Sequence, residues 1–295
     1  MKKLLISSIY LFFSFSALAD DLISSKNNIL SKFSNSLASS IEGIFGSKGD
    51  TEVQITAGED YHPEFSIMSV KPLATHPGVD AWFVQLQLNE TKIRGDGRMS
   101  INSGIGYRKL SESKRSFTGA NIFFDYDKEG NSRGSVGVEL RSSAFEAIAN
   151  YYLGLSDGVT VGTYTERTLD GFEISLIGEV PHLPWMNIIA NHYEWEAEKN
   201  SKNSEGEKLS LEMTIAPNFI FEAGVNNNNI DGGTNFVKAY FVFPPRKGVA
   251  ATTQLVSETA FSDGDMSGEL LTKVRRTNKQ VIESEGSGVV MAKAN

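Results

Sequence analysis

The sequence predicts an all-β fold, a transmembrane barrel of about twelve antiparallel strands with a polar lumen. Apolar and polar residues alternate through most of residues 51–243, a pattern typical of strands whose two faces meet different environments. One face carries charged side chains, so we expect the apolar face to lie in lipid and the polar face in the lumen. The alternating segments are about ten residues long, as a tilted strand that crosses a bilayer requires.

Composition narrows the class of protein. The chain has 295 residues, 40% of them hydrophobic, and a mean hydropathy of −0.22, which excludes a polytopic helical membrane protein. It contains no cysteine, which excludes disulfides and thiolate metal sites. The net charge of −8 makes nucleic acid an unsuitable partner.

Residues 1–19 are predicted to be a secretory signal peptide. Lys2 and Lys3 precede an apolar run at residues 4–15, and Ala17 and Ala19 occupy the two positions that a signal peptidase reads. Cleavage before Asp20 removes the two lysines, so the mature chain carries −8 − 2 = −10. The alternative is an N-terminal membrane anchor, but the apolar run is short for a membrane span.

Residues 20–49 are predicted to form a periplasmic amphipathic helix. Apolar residues recur at intervals of four, four, four and three, which places them on one stripe of a helix: Ile29, Phe33, Leu37, Ile41 and Ile44. The other faces are not rich in lysine or arginine, as a helix that binds anionic lipid usually is. We therefore expect the helix to pack on the next domain.

Residues 50–245 are predicted to form the outer-membrane barrel, with polar breaks such as residues 156–167 as loops. The clearest faces have Val136, Val138 and Leu140 opposite Arg133, Glu139 and Arg141. Residues 185–196 alternate poorly, which leaves their register open. The twelve predicted strands are 51–57, 65–73, 79–90, 98–110, 116–127, 132–142, 145–155, 170–181, 185–196, 206–216, 219–226 and 233–243.

Phe243 marks the predicted end of the barrel, because outer-membrane strands often finish on an aromatic residue at the interface. Pro244 and Pro245 cannot continue a strand ladder. Residues 246–295 are predicted to be a lumenal linker with a short tail, in which residues 252–260 suit a short helix.

The linker contains a basic cluster in an otherwise acidic chain: Lys273, Arg275, Arg276 and Lys279. The inward strand faces carry glutamates that complement it in sign: Glu139, Glu146, Glu173, Glu179, Glu212 and Glu222. Our hypothesis is that the linker plugs the lumen through charge-assisted hydrogen bonds, with Arg275 and Arg276 holding it. The alternative is a solvated tail whose contacts contribute about 0–1 kcal/mol each.

Three stretches resemble one family. Residues 119–156, L-I-G-E-V-P-H-L-P-W at 176–185 and L-L-T-K-V-R-R-T-N-K-Q-V-I at 270–282 are similar to the translocation domain of the intimin/invasin family, the inverse autotransporters. The resemblance covers about residues 30–285. It implies a twelve-stranded outer-membrane barrel with a periplasmic N-terminus, and a linker that passes through the lumen, partly as a helix, and carries an adhesive passenger to the cell surface.

We expect no passenger to follow the linker, because the sequence ends at Asn295, just past the linker. We expect the passenger to be lost, supplied by another chain, or unnecessary. The resulting prediction is a non-enzymatic translocator or anchor linked to cell attachment, with outer-membrane lipid and the barrel assembly machinery as partners and no cofactor.

A porin-like channel and an outer-membrane enzyme are the alternatives. Barrel hydrolases need a histidine beside a carboxylate or serine at the rim. Of the histidines at positions 62, 76, 182 and 192, only His192 lies on a predicted strand, beside Glu194. Asp125, Asp127 and Glu129 fail the spacing of a calcium loop and are interpreted as lumen or loop carboxylates, so we expect no metal site.

Overall fold

Twelve of the fifteen strands in the described part of the chain close into one barrel. The computed structural model describes residues 49–58, 61–93, 96–156, 158–199, 202–246, 248 and 250–285. The strands are β1 (Asp50–Gly58), β2 (Tyr61–His76), β3 (Asp80–Ile93), β4 (Asp96–Leu110), β5 (Ser116–Asp127), β6 (Ser132–Ser142), β7 (Phe145–Gly154), β8 (Val159–Val161), β9 (Tyr164–Thr168), β10 (Gly171–Val180), β11 (Leu183–Trp195), β12 (Ser204–Ala216), β13 (Phe219–Asn228), β14 (Gly232–Phe243) and β15 (Ile282–Glu285).

The barrel runs in sequence order, with β7 pairing directly with β10, and closes where β1 meets β14. The closing register extends from Thr51 opposite Phe243 to Gly58 opposite Phe236. The predicted twelve-stranded antiparallel barrel is confirmed. The strand at residues 65–73 is longer than predicted, and β11 pairs along its length with β10 and β12 despite its poor alternation.

The outer surface of the barrel is apolar. Val136 and Val138 are 51% and 59% exposed on β6, whereas Arg133, Glu139 and Arg141 on the same strand are buried inside. Exposed aromatic side chains lie near both ends of the strands, such as Trp82 near the start of β3 and Tyr126 near the end of β5. The ring centroids of Trp82 and Tyr107 are 4.9 Å apart, with the rings tilted. This distribution is the one expected of a barrel that is surrounded by lipid.

The connections differ at the two ends of the barrel. At one end the strands are joined by at most five residues, as between β4 and β5. At the other end 16 residues separate β7 from β10, and eight separate β11 from β12. We refer to these as the short-turn end and the loop end.

The loop end contains a small second sheet, in the order β15-β9-β8. Residues 156–167 were predicted to be a loop, and this prediction is wrong because β8 and β9 form a hairpin there. The last described strand, β15, adds to the hairpin with Ile282 opposite Thr168.

Residues 246–265 follow the rim of the short-turn end. Ser257 and Ala260 bond to the backbone of His182, in the turn between β10 and β11. Residues 252–260 form turns rather than the expected short helix, because their backbone groups bond to the barrel rim. Further contacts in this segment join Arg246 to Pro217, Ala251 to Thr214 and Gly264 to Ser143.

Within the described part of the chain, no helix is long and apolar enough to span a membrane. The predicted signal peptide and the predicted amphipathic helix of residues 20–49 lie outside the described residues, apart from Gly49.

Candidate functional site inside the barrel

The chain turns from the rim into the barrel at a single turn of 3-10 helix, Met266–Glu269. Asp265 caps this turn by accepting a hydrogen bond of 2.7 Å from the backbone nitrogen of Ser267. Hydrogen bonds from Ser267 hold the pKa of the Asp265 carboxyl below its usual range. Residues 270–281, which we call the inner segment, follow without regular secondary structure.

Arg108, on β4, binds the beginning of the inner segment. Its Nη1 donates to the carbonyl oxygens of Leu270 at 2.9 Å and Thr272 at 2.6 Å. The guanidinium lies over the rings of Phe83 and Phe117, at 4.5 and 5.2 Å from their centroids. The rings fix its plane through cation–π contact, so the guanidinium is directed at the inner segment's backbone.

Two further arginines of the barrel wall also bind backbone carbonyl groups of the inner segment. Arg133 donates to the carbonyl oxygens of Thr277 at 2.7 Å and Lys279 at 3.2 Å, and Arg141 donates to that of Lys273 at 3.0 Å. Asparagines bind two more carbonyl groups, Asn102 that of Asn278 and Asn150 that of Arg275, each at 3.0 Å.

Backbone N–H groups of the inner segment also bind the wall. Val274 donates to Oε1 of Gln85 at 2.8 Å. Thr277 donates its N–H to Glu173 at 2.7 Å and its hydroxyl to the same carboxylate at 2.7 Å. Buried backbone groups must find partners, and here the wall supplies them. This explains why residues 270–281 have no regular secondary structure. The family resemblance implied a linker that is partly helical, and the described part of the linker is helical only in the 3-10 turn Met266–Glu269.

Arg275 connects two strands of the wall. Its Nη1 and Nη2 donate to the two oxygens of Glu212, on β12, at 2.9 and 2.7 Å. Its Nε donates to Glu146, on β7, at 3.0 Å. The side chains are 20%, 7% and 19% exposed, so the contacts are largely shielded from water.

Arg276 binds Asp125, on β5, through two hydrogen bonds of 2.9 and 2.7 Å. Its guanidinium lies 4.4 Å from the ring centroid of Phe123. Asp125 also accepts a bond of 2.9 Å from Arg133, so one buried carboxylate serves one arginine of the wall and one of the inner segment.

The two lysines bind carboxylates near the barrel seam. Nζ of Lys273 lies 2.7 Å from Glu52, on β1, and 3.9 Å from the ring centroid of Tyr240. Nζ of Lys279 lies 2.6 Å from Glu64, on β2. Together the four basic side chains bind carboxylates of five strands, β1, β2, β5, β7 and β12, which are distributed around the barrel.

The glutamates singled out in the sequence have different partners. Glu146 and Glu212 bind Arg275. Glu139 is bound by Arg108 and Arg141 of the wall rather than by a basic side chain of the inner segment. The others contact neutral donors of the chain's C-terminal part or a wall lysine: Glu173 the side chain and N–H of Thr277, Glu179 the N–H of Ser262, and Glu222 the ammonium of Lys238.

Sequence reasoning missed Glu52, Glu64 and Asp125 as partners of the basic cluster. Glu52 alternates with Val53 and Ile55 on β1, and Asp125 alternates with Phe124 and Tyr126 on β5. The same period-two argument therefore assigns both carboxylates to the inward face. Glu64 offers no comparable signal, because it lies before the predicted start of its strand.

The β8–β9 hairpin lies at the loop end of the inner segment. Glu166 of β9 is fully buried and accepts hydrogen bonds of 2.6 and 3.0 Å from Arg98 of β4. Beyond the inner segment, Glu283 of β15 accepts from the backbone nitrogens of Glu198 and Lys199 at 3.0 Å each. The chain thus passes between the hairpin and the connection of β11 to β12.

Within the residues that the structure describes, the remaining chemistry-bearing side chains do not assemble into a recognisable catalytic group. His192 lies on β11 with its ring centroid 6.0 Å from that of Phe172. His76 bonds Asp80 at 2.6 Å in an exposed position. Among the described residues, no group of three or more histidine, aspartate or glutamate side chains could hold a metal ion.

A closed barrel with an apolar outer surface, a polar interior and part of its own chain inside defines a class, the membrane β-barrel occupied by a C-terminal segment. The chain belongs to a particular family of that class, the inverse autotransporter beta-domain, whose sequence model matches residues 14–278. No curated protein matches the sequence.

Solved structures are similar in fold. A membrane protein from a study of in-meso crystallization superimposes with a TM-score of 0.66 at 20% identity, over 80% of this chain and 99% of that chain. An outer membrane channel from Pseudomonas putida F1 superimposes with a TM-score of 0.50 at 8% identity, over 66% of this chain and 96% of that chain. At these identities the likeness concerns the fold alone.

Proposed function

We propose that this protein is a non-enzymatic translocator and anchor of the outer membrane. In this proposal the C-terminal linker passes through the lumen, plugs it, and carries sequence to the cell surface. The observation that carries the proposal is the binding of Arg275 to Glu146 and Glu212, which attaches the inner segment to two strands that are three positions apart in the barrel.

The burial of the ion pairs supports a bound plug rather than a solvated tail. Exposed ion pairs contribute about 0–1 kcal/mol, whereas removal of one partner from a buried pair costs about 3–5 kcal/mol. Arg276 and Asp125 are both 0% exposed, and the carbonyl groups around them are bound by wall arginines. A segment held in this way stays in place unless several buried contacts break together.

The connections support an orientation. Outer-membrane barrels have short periplasmic turns and longer extracellular loops, so the short-turn end is assigned to the periplasm. The described chain then enters the barrel from the periplasm at residue 266 and leaves it at the cell surface at residue 282. The proposed signal peptide at residues 1–19 and a periplasmic N-terminus agree with this direction.

The partners follow from the same proposal. Outer-membrane lipid covers the apolar band, and the barrel assembly machinery inserts the strands. The surface-exposed cargo is an adhesive passenger, supplied by sequence that continues this chain or by a separate protein, and it links the barrel to cell attachment and to type V secretion. The proposal includes no catalytic activity, because the buried charged side chains described above are paired with one another.

Epitope accessibility on intact cells tests the proposal. A tag appended after Asn295 should bind antibody on intact cells. The same tag inserted between Glu112 and Ser113, in the turn between β4 and β5, should bind antibody only after the outer membrane is permeabilised. The proposal is wrong if the C-terminal tag requires permeabilisation while heat-modifiable migration shows that both tagged barrels are folded.

A further inference from the structure

The inner segment does not fill the barrel. A cavity of about 180 Å³ remains beside it, enough for several water molecules. The wall of this cavity comes from β1 to β3 and from β10 to β14, with the inner segment as its remaining side. The opposite side of the segment packs against the wall, where Val274 contacts Phe83 and Phe123.

The cavity extends along the barrel axis. At the short-turn end it reaches Glu52 and Tyr240, and towards the loop end it reaches Glu64 and Thr91. A second cavity of about 50 Å³ lies closer to the short-turn rim, lined by Arg246 and Glu269 among others. Lys273 and Arg275 border both cavities, so their side chains lie between them.

Basic side chains outnumber acidic ones around the larger cavity, six to four. The basic residues are Lys208, Lys238, Lys273, Arg275, Arg276 and Lys279, and the acidic residues are Glu52, Glu64, Glu173 and Glu222. Five of the six basic groups are neutralised by carboxylates, Lys238 by Glu222 at 3.2 Å and the four of the inner segment as described above. Lys208 is the exception.

Lys208 projects inward from β12, one inward position from Ser210, and its side chain is half-buried. It has no ion pair within 4.0 Å among the described residues. Its Nζ lies 5.1 Å from the ring centroid of Tyr193, an interaction that accommodates a cation without neutralising it. A partly desolvated ammonium without a counter-charge is costly, and an anion from solution removes that cost.

Among the described residues, Glu173 is the one cavity carboxylate without an ion pair within 4.0 Å, and its hydrogen bonds come from donors other than Lys208. Its oxygens accept from the hydroxyl of Tyr152, from Asn150 at 3.1 Å and from the N–H and hydroxyl of Thr277. These donors face the inner segment and hold the carboxylate there. Lys208 is therefore the basic side chain of the cavity lining that no described carboxylate contacts.

We propose that the cavity beside the inner segment is a water-filled passage that binds small inorganic anions at Lys208. Chloride and phosphate are anions of this class, and the ammonium supplies three hydrogen-bond donors for them. Lys273 and Arg275, which border both cavities, are paired with carboxylates, so Lys208 is the group that favours anions over cations in the passage. The linker closes the lumen to peptides and larger solutes while leaving this narrow path.

The test is ion selectivity in planar bilayers. The wild-type protein under a potassium chloride gradient should show a small conductance with a chloride-to-potassium permeability ratio above one. Lys208→Gln, which removes the charge but keeps a hydrogen-bonding group, should lower that ratio about twofold or more, because charged side chains that line a pore set its selectivity. Inorganic phosphate added to the chloride solution should reduce the wild-type current and leave the variant's current unchanged.

The matched control is Lys92→Gln, at an exposed outward position on β3, which should keep the wild-type ratio. A wild-type barrel that conducts no ions, or that prefers potassium, overturns the proposal without use of any variant. So does a Lys208→Gln barrel that behaves like the control. If Lys208→Gln does not fold, the proposal is tested by the permeability ratio of the wild-type protein and by the reduction of its current by phosphate. A sealed barrel with a surface-exposed C-terminal tag would overturn only this passage and leave the translocator proposal intact.

Discussion

The guanidinium of Arg275 binds both carboxylate oxygens of Glu212, at 2.9 and 2.7 Å. Its third nitrogen is bound to Glu146, so every nitrogen of the group has a carboxylate partner. The planar fork of arginine allows such bidentate contact, which the ammonium of lysine does not. Glu212 is therefore the wall residue through which the attachment of the inner segment is best tested.

Glu212→Gln should loosen the inner segment while the barrel stays closed. The variant keeps one hydrogen bond to Arg275 but loses the charge, which we expect to cost about 1.5–3 kcal/mol, as for hydrogen bonds to charged groups. Trypsin should then cleave after Lys273 or Arg275 in the folded protein, while the wild type resists. Glu90→Gln, an exposed outward position on β3, is the control. Equal resistance of Glu212→Gln and the control would contradict the prediction.

Replacement of both Arg275 and Arg276 by serine should open the lumen. The change leaves Glu212 without its arginine, whereas Asp125 keeps Arg133 and Glu146 keeps Arg141. A buried pair that loses one member costs about 3–5 kcal/mol. Single-channel conductance in planar bilayers should rise, and the segment should become sensitive to protease. Arg115→Ser removes a solvated ion pair with Asp263 and should leave conductance unchanged. Wild-type conductance in the double variant would refute the plug.

Val138→Arg should destabilise the barrel in lipid. Val138 is 59% exposed on the outer face of β6, and an arginine facing lipid near the bilayer midplane costs about 2–4 kcal/mol. The midpoint of guanidinium unfolding in liposomes should fall accordingly. Thr160→Arg, at an exposed position of β8 in the loop-end hairpin, should leave the midpoint in place. A similar shift in both variants would contradict the assignment of β6 to the lipid interface.

The barrel should need the whole of β14 to fold, but not the residues after Pro245. Truncation before Val237 removes most of the β1–β14 pairs, which extend to Phe243, and should abolish heat-modifiable migration on gels. Truncation after Pro245 retains all of these pairs and should preserve heat modifiability. Loss of folding in the second truncated chain would show that the rim segment and the inner segment are required for assembly.

Much of the barrel is determined by local sequence. The period-two alternation assigned Val138 and Leu140 to the outer face, and Arg133 and Glu139 to the inner face, from neighbouring residues alone. The number of strands and the all-β fold class could be predicted from the same alternation, because successive side chains of a strand always point to opposite faces. The basic cluster at residues 273–279 was also evident in the sequence, since its charge contrasts with an acidic chain.

The pairing of charges was decided only by tertiary structure. Glu139 looked as suitable for the inner segment as Glu146, yet Arg108 of β4 and Arg141 of its own strand neutralise it. Lys273 and Glu52 are 221 residues apart, and their meeting depends on strand register and on where the inner segment lies within the barrel. The alternation of apolar and polar residues contains no information about strand register or about the position of the inner segment.

Tertiary structure also decided the loop-end sheet and the backbone conformation of the inner segment. β8 is three residues long, too short for alternation to be recognised, and β15 pairs with β9 more than a hundred residues away. The inner segment has no regular secondary structure, because Arg108 and Arg133 of the wall bind its carbonyl groups. The sequence determined which side chains face the lumen, and the closed barrel alone determined their partners, because burial and hydrogen bonding there are long-range.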